Sequence, residues 1–442
     1  MPWWNKSNGV TILEAIIAVA VMALVSGSVL GLLWGGLKSA DANQRRQLAV
    51  GLANQQLEII KNLPYDSVGT TGGVPSGNLP QTQTSVINNT TYTITTDVHY
   101  VDDNYDQKTP NDTLNTDYKR VEIIVTWPHT DQVVETSTLI VPNGIENNAT
   151  GGTLWLEVYD PTTDPVTLIN KATVTILAPT VTPAVSLSVK TDTDGRYILP
   201  GAPVGTEAYQ ITVTKTGYGS ARTYTADIEM NPNPNPADLS VAQGEVTTEY
   251  FQIARLADSI SLHTRDITTD APVTVAFAIH SDSVIGSDGS GNEIYEYSTI
   301  NLTDAAGGWQ LNDPESGNYT IIFDEAAIGY VVAGTTRDIP FEVLPNANES
   351  VTIYLHSAIP FSGLLTVVDA NNARLADATV RLYTADLTFD VTQTTTSYGQ
   401  TFFDTITAGS YLIDVTATGY AVYNGSIIIG GNDEQTIYMA TL

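Results

Sequence analysis

The residues able to do chemistry are few and scattered. The 442-residue chain has no Cys, which excludes disulfides, thiol nucleophiles and Cys-held zinc or iron–sulfur centres. Its five His, at 99, 129, 263, 280 and 356, show no metal-ligand spacing. Asp102-x-Asn104-x-Asp106 imitates the start of a calcium loop, but Gln107 stands where that loop needs Gly and no Glu completes it. Asp192-Thr-Asp194-Gly195 reads as a turn. No Gly-rich phosphate loop, Ser-His-Asp set or pocket-like carboxylate pair is present, so the sequence assigns no catalytic residue, metal site or cofactor. One acid stands apart. Glu14 sits at the front edge of Ala15–Leu37, 23 residues without a charge. A carboxylate inside a membrane costs on the order of 3 kcal/mol and needs a partner.

The element that positions Glu14 is a helix. Ala15–Leu37 would rise about 35 Å, enough to cross a hydrocarbon core of about 30 Å. The helix is expected to continue, because Leu48, Leu52, Ile59 and Leu63 extend one face and Pro64 ends it. Gly27, Gly31 and Gly35 lie four apart and share a face that a second helix can approach closely. The basic residues conflict with the expected topology: only Lys6 precedes the apolar run, while Lys38, Arg45 and Arg46 follow it. The N-terminus is nevertheless read as cytoplasmic, because all the foldable sequence lies after the helix.

Net charge is −30, with 18 Lys+Arg against 48 Asp+Glu. Nucleic acid is excluded as a partner, since a phosphate backbone requires a basic surface. From Ala257 to Leu442 there are four Arg, no Lys and 23 Asp+Glu, so the last two domains cannot hold Lys isopeptide cross-links and should repel anionic surfaces.

Residues 67–85 read as a loop. Tyr92, Ile94, Val98 and Tyr100, then Val121, Ile123, Val125 and Trp127, alternate as strands with one packed face. Further on, a pattern recurs three times: a turn glycine, an aromatic strand, a Tyr-led strand, then Gly-Tyr. Its members are Gly195, Tyr209 and Gly217-Tyr218; Gly307, Tyr319 and Gly329-Tyr330; Gly399, Tyr411 and Gly419-Tyr420. The Gly-Tyr pairs are 112 and 90 residues apart, one small β-sandwich per unit. The middle copy is the weakest, with an insertion at Ser281–Glu296. Met230-Asn-Pro-Asn-Pro-Asn-Pro236 reads as a stiff extended loop rather than a domain linker. The expected class is α+β: a long N-terminal helix on a small antiparallel sheet, then three sandwiches in tandem.

The segment GVTILEAIIAVAVMALV resembles the N-terminus of type IV pilins and type II secretion pseudopilins. The resemblance is strong over residues 1–66 and loose over 67–148; Val10 replaces the usual Phe. It implies a leader (1–9), cleavage by prepilin peptidase between Gly9 and Val10, methylation of the new amine, and pairing of Glu14 with a neighbouring subunit's N-terminal ammonium. "ADATVRLY" (Ala376–Tyr383) and the repeats resemble carboxypeptidase regulatory-like sandwiches of the transthyretin type. The division expected is a helix at 10–63, with its membrane part at about 15–37; a pilin-like head at 64–149; and sandwiches at 150–256, 257–357 and 358–442. The implied role is a non-enzymatic minor or tip subunit, inserted in the cytoplasmic membrane by a single pass. It then shows a rod of sandwiches on a filament or the cell surface for adhesion, with other pilin-like subunits as partners and an extracellular ligand open. The alternative is a membrane-tethered glycan or peptide receptor that never polymerises.

Overall fold

The computed structural model describes residues 12–103, 116–128, 132–142 and 151–442, and for positions 13, 14, 15 and 18 the backbone alone. The leader, Gly9 and Val10, the Asn104 and Asp106 of the calcium-like spacing, His129 and the expected boundary near 150 lie outside the described residues. The architecture is α+β, a long helix followed by antiparallel-rich sheets. The chain divides into two compact units, one of residues 1–149 and one holding nearly all of 150–442.

In the first unit a single helix runs Ile12–Lys61, about 75 Å at 1.5 Å per residue. Its last turns bury Ala49, Ala53, Leu57 and Ile60 against a four-stranded antiparallel sheet in chain order: Thr82–Ile87, Thr90–Val101, Tyr118–Thr126 and Val133–Ile140. Small Ala side chains let helix and sheet approach closely. The buried stripe is one position round from the expected one: Ile59 is exposed, while Leu48, Leu52 and Leu63 only flank the core. Tyr92, Val121, Ile123 and Val125 are fully or nearly fully buried, as the alternation requires. The loop expected over 67–85 is shorter, because Thr82–Ile87 adds as an edge strand. That strand is held by backbone bonds and buries little, so its sequence carries no alternation. Asn88 and Asn89, both at positive φ, make its two-residue hairpin turn.

In the second unit three sandwiches share one wiring. Each opening strand lies parallel to the closing strand of its own domain: Gly152–Asp160 beside Val246–Gln252, Ser259–Asp266 beside Asn348–Ser357, and Ser362–Asp369 beside Asn432–Met439. The facing sheet centres on Thr173–Ala178 with Gly205–Thr214, Ala276–Ser281 with Gly317–Ile322, and Thr379–Tyr383 with Gly409–Thr416. The middle copy therefore follows the same plan as its neighbours, and adds Tyr330–Thr335 beside its closing strand.

The repeat residues explain this plan. Gly195, Gly307 and Gly399 all have positive φ, and a Cβ at Gly307 would fall 2.4 Å from the Thr264 carbonyl oxygen. Only glycine fits such a turn without strain. Four residues before each glycine stands a buried Thr: Thr191, Thr303 and Thr395. Each accepts a backbone N–H from the neighbouring strand, from Ala172, Val275 and Ala378 respectively. In the third copy this Thr is Thr395, not the neighbouring Thr396. Tyr209, Tyr319 and Tyr411 are buried to 3% exposure or less. Their hydroxyls donate to the carbonyls of Pro203, Glu315 and Thr407, at 2.5, 2.9 and 2.9 Å. Each ring removes about 150–250 Å² from water, on the order of 4–6 kcal/mol at about 25 cal/mol per Å², and its polar tip is satisfied.

Two features that the sequence leaves separate meet in a small sheet. The insertion folds as a hairpin, Val284–Ser287 with Glu293–Tyr295, and Asn233–Pro234 of the proline-rich loop adds to its edge. Asn231 Nδ2 and the Asn235 N–H both donate to the Ile285 carbonyl, at 3.0 and 2.9 Å. The proline-rich loop is therefore a clasp onto the second sandwich.

Gly307→Ala should destabilise the second sandwich by about 2 kcal/mol or more, and Tyr319→Phe by about 1–2 kcal/mol. Hydrogen exchange over 259–357 measures both. Unchanged protection in Gly307→Ala would refute the turn's role.

Candidate functional site

The N-terminal half of the helix has no partner within the described residues. Fourteen large apolar side chains between Ile12 and Leu37 are exposed, among them Leu24 (73%) and Trp34 (75%). At about 1.5 kcal/mol each, leaving them in water costs on the order of 20 kcal/mol. The segment is long and apolar enough to cross a membrane. Ser28 satisfies its hydroxyl by donating to the Leu24 carbonyl at 2.9 Å, which a polar group in an apolar span requires. Nothing lies within 4 Å of a Cβ built at Gly27, Gly31 or Gly35, so the expected packing surface is open. Glu14 is helical in backbone, and its side chain lies outside the described residues.

Charge begins where the helix meets the sheet. Arg45 Nε pairs with Asp41 at 2.8 Å, and its Nη1 donates to Thr90 Oγ1 at 2.5 Å, tying helix to strand. Lys119 is buried, with its ammonium donating to the Tyr65 and Val68 carbonyls at 2.9 and 2.7 Å. Burial lowers its pKa. Its role is to pin the chain that follows the helix.

The histidines occupy separate environments. His99 is buried, its Nδ1 without a partner among the described residues, and burial lowers its pKa and favours the neutral imidazole. His280 stacks on Tyr295 at 3.8 Å, and His356 approaches Asp404 at 3.7 Å. The Asp192 carboxylate accepts the N–H groups of Asp194 and Arg196, both at 2.9 Å, as a turn-forming Asp does.

The most perturbed carboxylate is one that the sequence does not single out. Glu315 of the second sandwich accepts the Ser220 N–H of the first at 2.7 Å, beside bare Gly219. Burial, with nearby Glu296 adding like charge, pushes its pKa up to about 7. Its partner is 95 residues away, so no local signal could have found it.

No known protein family matches the sequence, and no curated protein matches it. Among solved structures, the Bacillus anthracis TIE protein is 14% identical; the match covers 82% of this chain and 61% of that one, with a TM-score of 0.20. The Streptococcal ancillary pilin is 14% identical over 66% of this chain and 99% of its own, at 0.20. GBS52, the minor pilin of Streptococcus agalactiae, is 13% identical over 42% and 96%, at 0.17. Likenesses this distant carry no argument about function.

Because folded Glu315 holds its proton more tightly than the unfolded chain does, its contribution to stability is complete below about pH 4.5. It is lost as pH rises through about 7. Melting of the second sandwich followed against pH should show this decline, and Glu315→Gln should flatten it. A slope identical in the two proteins would refute the assignment.

Proposed function

We propose that the chain is a structural subunit of the type IV pilin or pseudopilin kind, held in the cytoplasmic membrane before assembly. The observation that carries this reading is the bare helix: its C-terminal end is docked on a sheet, while its N-terminal half exposes a row of large apolar side chains and open glycines. In this reading prepilin peptidase cuts between Gly9 and Val10 and the new amine is methylated. Glu14 neutralises that ammonium on a neighbouring copy, since a carboxylate in an apolar bundle is tolerable only when paired. Gly27, Gly31 and Gly35 let neighbouring helices pack closely.

Three sandwiches of the carboxypeptidase regulatory-like kind would crowd a dense shaft, so the subunit is a minor or tip-located one. Its function is adhesion or surface contact, not catalysis. The strongly acidic sandwiches, with 23 Asp+Glu and four Arg after Ala257, belong in solvent and not against anionic lipid.

Mass spectrometry of the native N-terminus should find a chain starting at methylated Val10; an intact Met1 would favour a tethered receptor that does not polymerise. Glu14→Ala should leave the head folded and abolish incorporation into filaments. Normal incorporation of that variant would overturn the role of Glu14.

A further inference from the structure

The second and third sandwiches meet at a joint that is fixed without any ligand. The buried Thr335 N–H donates to Gln400 Oε1 at 2.7 Å, and Gln400 Nε2 donates to Thr366 Oγ1 at 3.0 Å. Arg374 Nη1 donates to the Thr335 carbonyl at 2.6 Å, while its Nη2 pairs with Asp338 at 2.7 Å. On one side of this polar seam lies a cleft of about 640 Å³ lined by three acids, Glu325, Asp338 and Glu434. Glu325 accepts from Val332 N and Asn432 Nδ2, and Asp338 is held by Arg374.

The cleft on the other side is different. Its volume is about 500 Å³, within the range of about 300–1,000 Å³ of small-molecule sites. Three aromatic rings line it: Tyr354, Tyr398 and Phe402. Between them stand neutral groups that both donate and accept, or only donate. Tyr354, Tyr398, Thr394 and Ser397 bring hydroxyls to its lining. Gln393 spends its Oε1 on the Thr401 hydroxyl at 2.5 Å, so its amide N–H groups are left to bond outward.

The electrostatics narrow the ligand further. All four Arg of these two sandwiches are committed to carboxylates: Arg265 to Asp270, Arg337 to Glu349, Arg374 to Asp338 and Arg381 to Asp390. These two sandwiches therefore leave no Arg or Lys uncommitted to hold an anion. Two acids line the cleft, and of these only Asp270 has an Arg partner. Asp270 pairs with Arg265 at 3.3 Å, and Asp404 accepts the Thr405 hydroxyl at 2.7 Å with His356 nearby. A purely apolar ligand would strand the hydroxyls and the amide without partners.

We infer that this cleft binds a short neutral oligosaccharide, with the flat faces of its sugar rings on Tyr354 and Tyr398 and its hydroxyls on Gln393, Thr394 and Ser397. A sugar ring has one flat C–H face for an aromatic ring and a rim of groups that donate and accept. Because the joint is already hydrogen-bonded, the site is formed before the ligand arrives and loses little in ordering. The inference serves the surface-contact role proposed above and rests on it only for exposure outside the cell.

The test uses the full chain in lauryldimethylamine oxide, a detergent without a sugar headgroup, so that binding is read whether or not the helix enters filaments. Lactose, maltotriose, chitotriose and mannotriose are titrated to about 10 mM by saturation-transfer NMR and calorimetry, beside 3′-sialyllactose and tetralysine. At least one neutral sugar should bind, and 3′-sialyllactose should bind more weakly than lactose. Tyr398→Ala should weaken the bound sugar by about tenfold. Ser397→Trp, on an exposed turn, should fill the mouth and abolish binding, with circular dichroism confirming the fold of both variants. The inference is overturned if no neutral sugar binds, if both variants bind like the parent, if 3′-sialyllactose binds as well as lactose, or if tetralysine alone binds.

Discussion

A run of apolar side chains with nothing covering it is the constraint on which the rest of the molecule depends. Ile16, Leu24, Leu30 and Trp34 project from one helix into open space, and water is the one surrounding they cannot tolerate. Lipid or another helix must take water's place. The same helix cannot be apolar throughout, because its far end has to hold a folded domain. The change of use occurs over a short stretch from Lys38 to Arg46, where Asp41, Arg45 and Thr90 tie helix to sheet through charge and hydroxyl. Beyond it, Ala49 and Ala53 let the sheet come close enough for Tyr92 and Val121 to fill the gap.

Much of this could be read directly from the order of residues. The uncharged run and Pro64 set the helix. Glycines at 195, 307 and 399 mark turns because no other residue takes that backbone without strain. Tyrosines at 209, 319 and 411 fill the core because alternation points them inward. What escaped the sequence depends on distance. Asn233 meets Ser287, Ser220 meets Glu315, and Thr335 meets Gln400, over separations of 54, 95 and 65 residues. No periodicity carries such pairings. Thr82–Ile87 escaped for another reason: an edge strand held by backbone bonds has no need of a patterned side-chain sequence.

The joints between sandwiches share a chemistry. None uses a disulfide, since the chain has no Cys, and the second and third sandwiches hold no Lys to cross-link them. Each instead uses buried or half-buried polar groups whose partners lie on the adjoining domain: Glu315 on Ser220, Asn231 on Ile285, Gln400 on Thr335. Such bonds stabilise modestly when made and cost more when broken with one partner still buried, so they hold neighbouring domains in one arrangement. A cleft beside such a joint keeps its shape.

The pairing of first and last strands within each sandwich has a mechanical consequence. Those strands run side by side in the same direction, as in Ser362–Asp369 against Asn432–Met439. The chain therefore enters at one end of the domain and leaves at the other. Tension along the polypeptide slides the two strands past each other and loads the whole ladder in shear at once, eight residue pairs in the third domain and eight in the second. It cannot unzip them one by one. A domain wired in this way yields to an end-to-end pull only when every rung fails together.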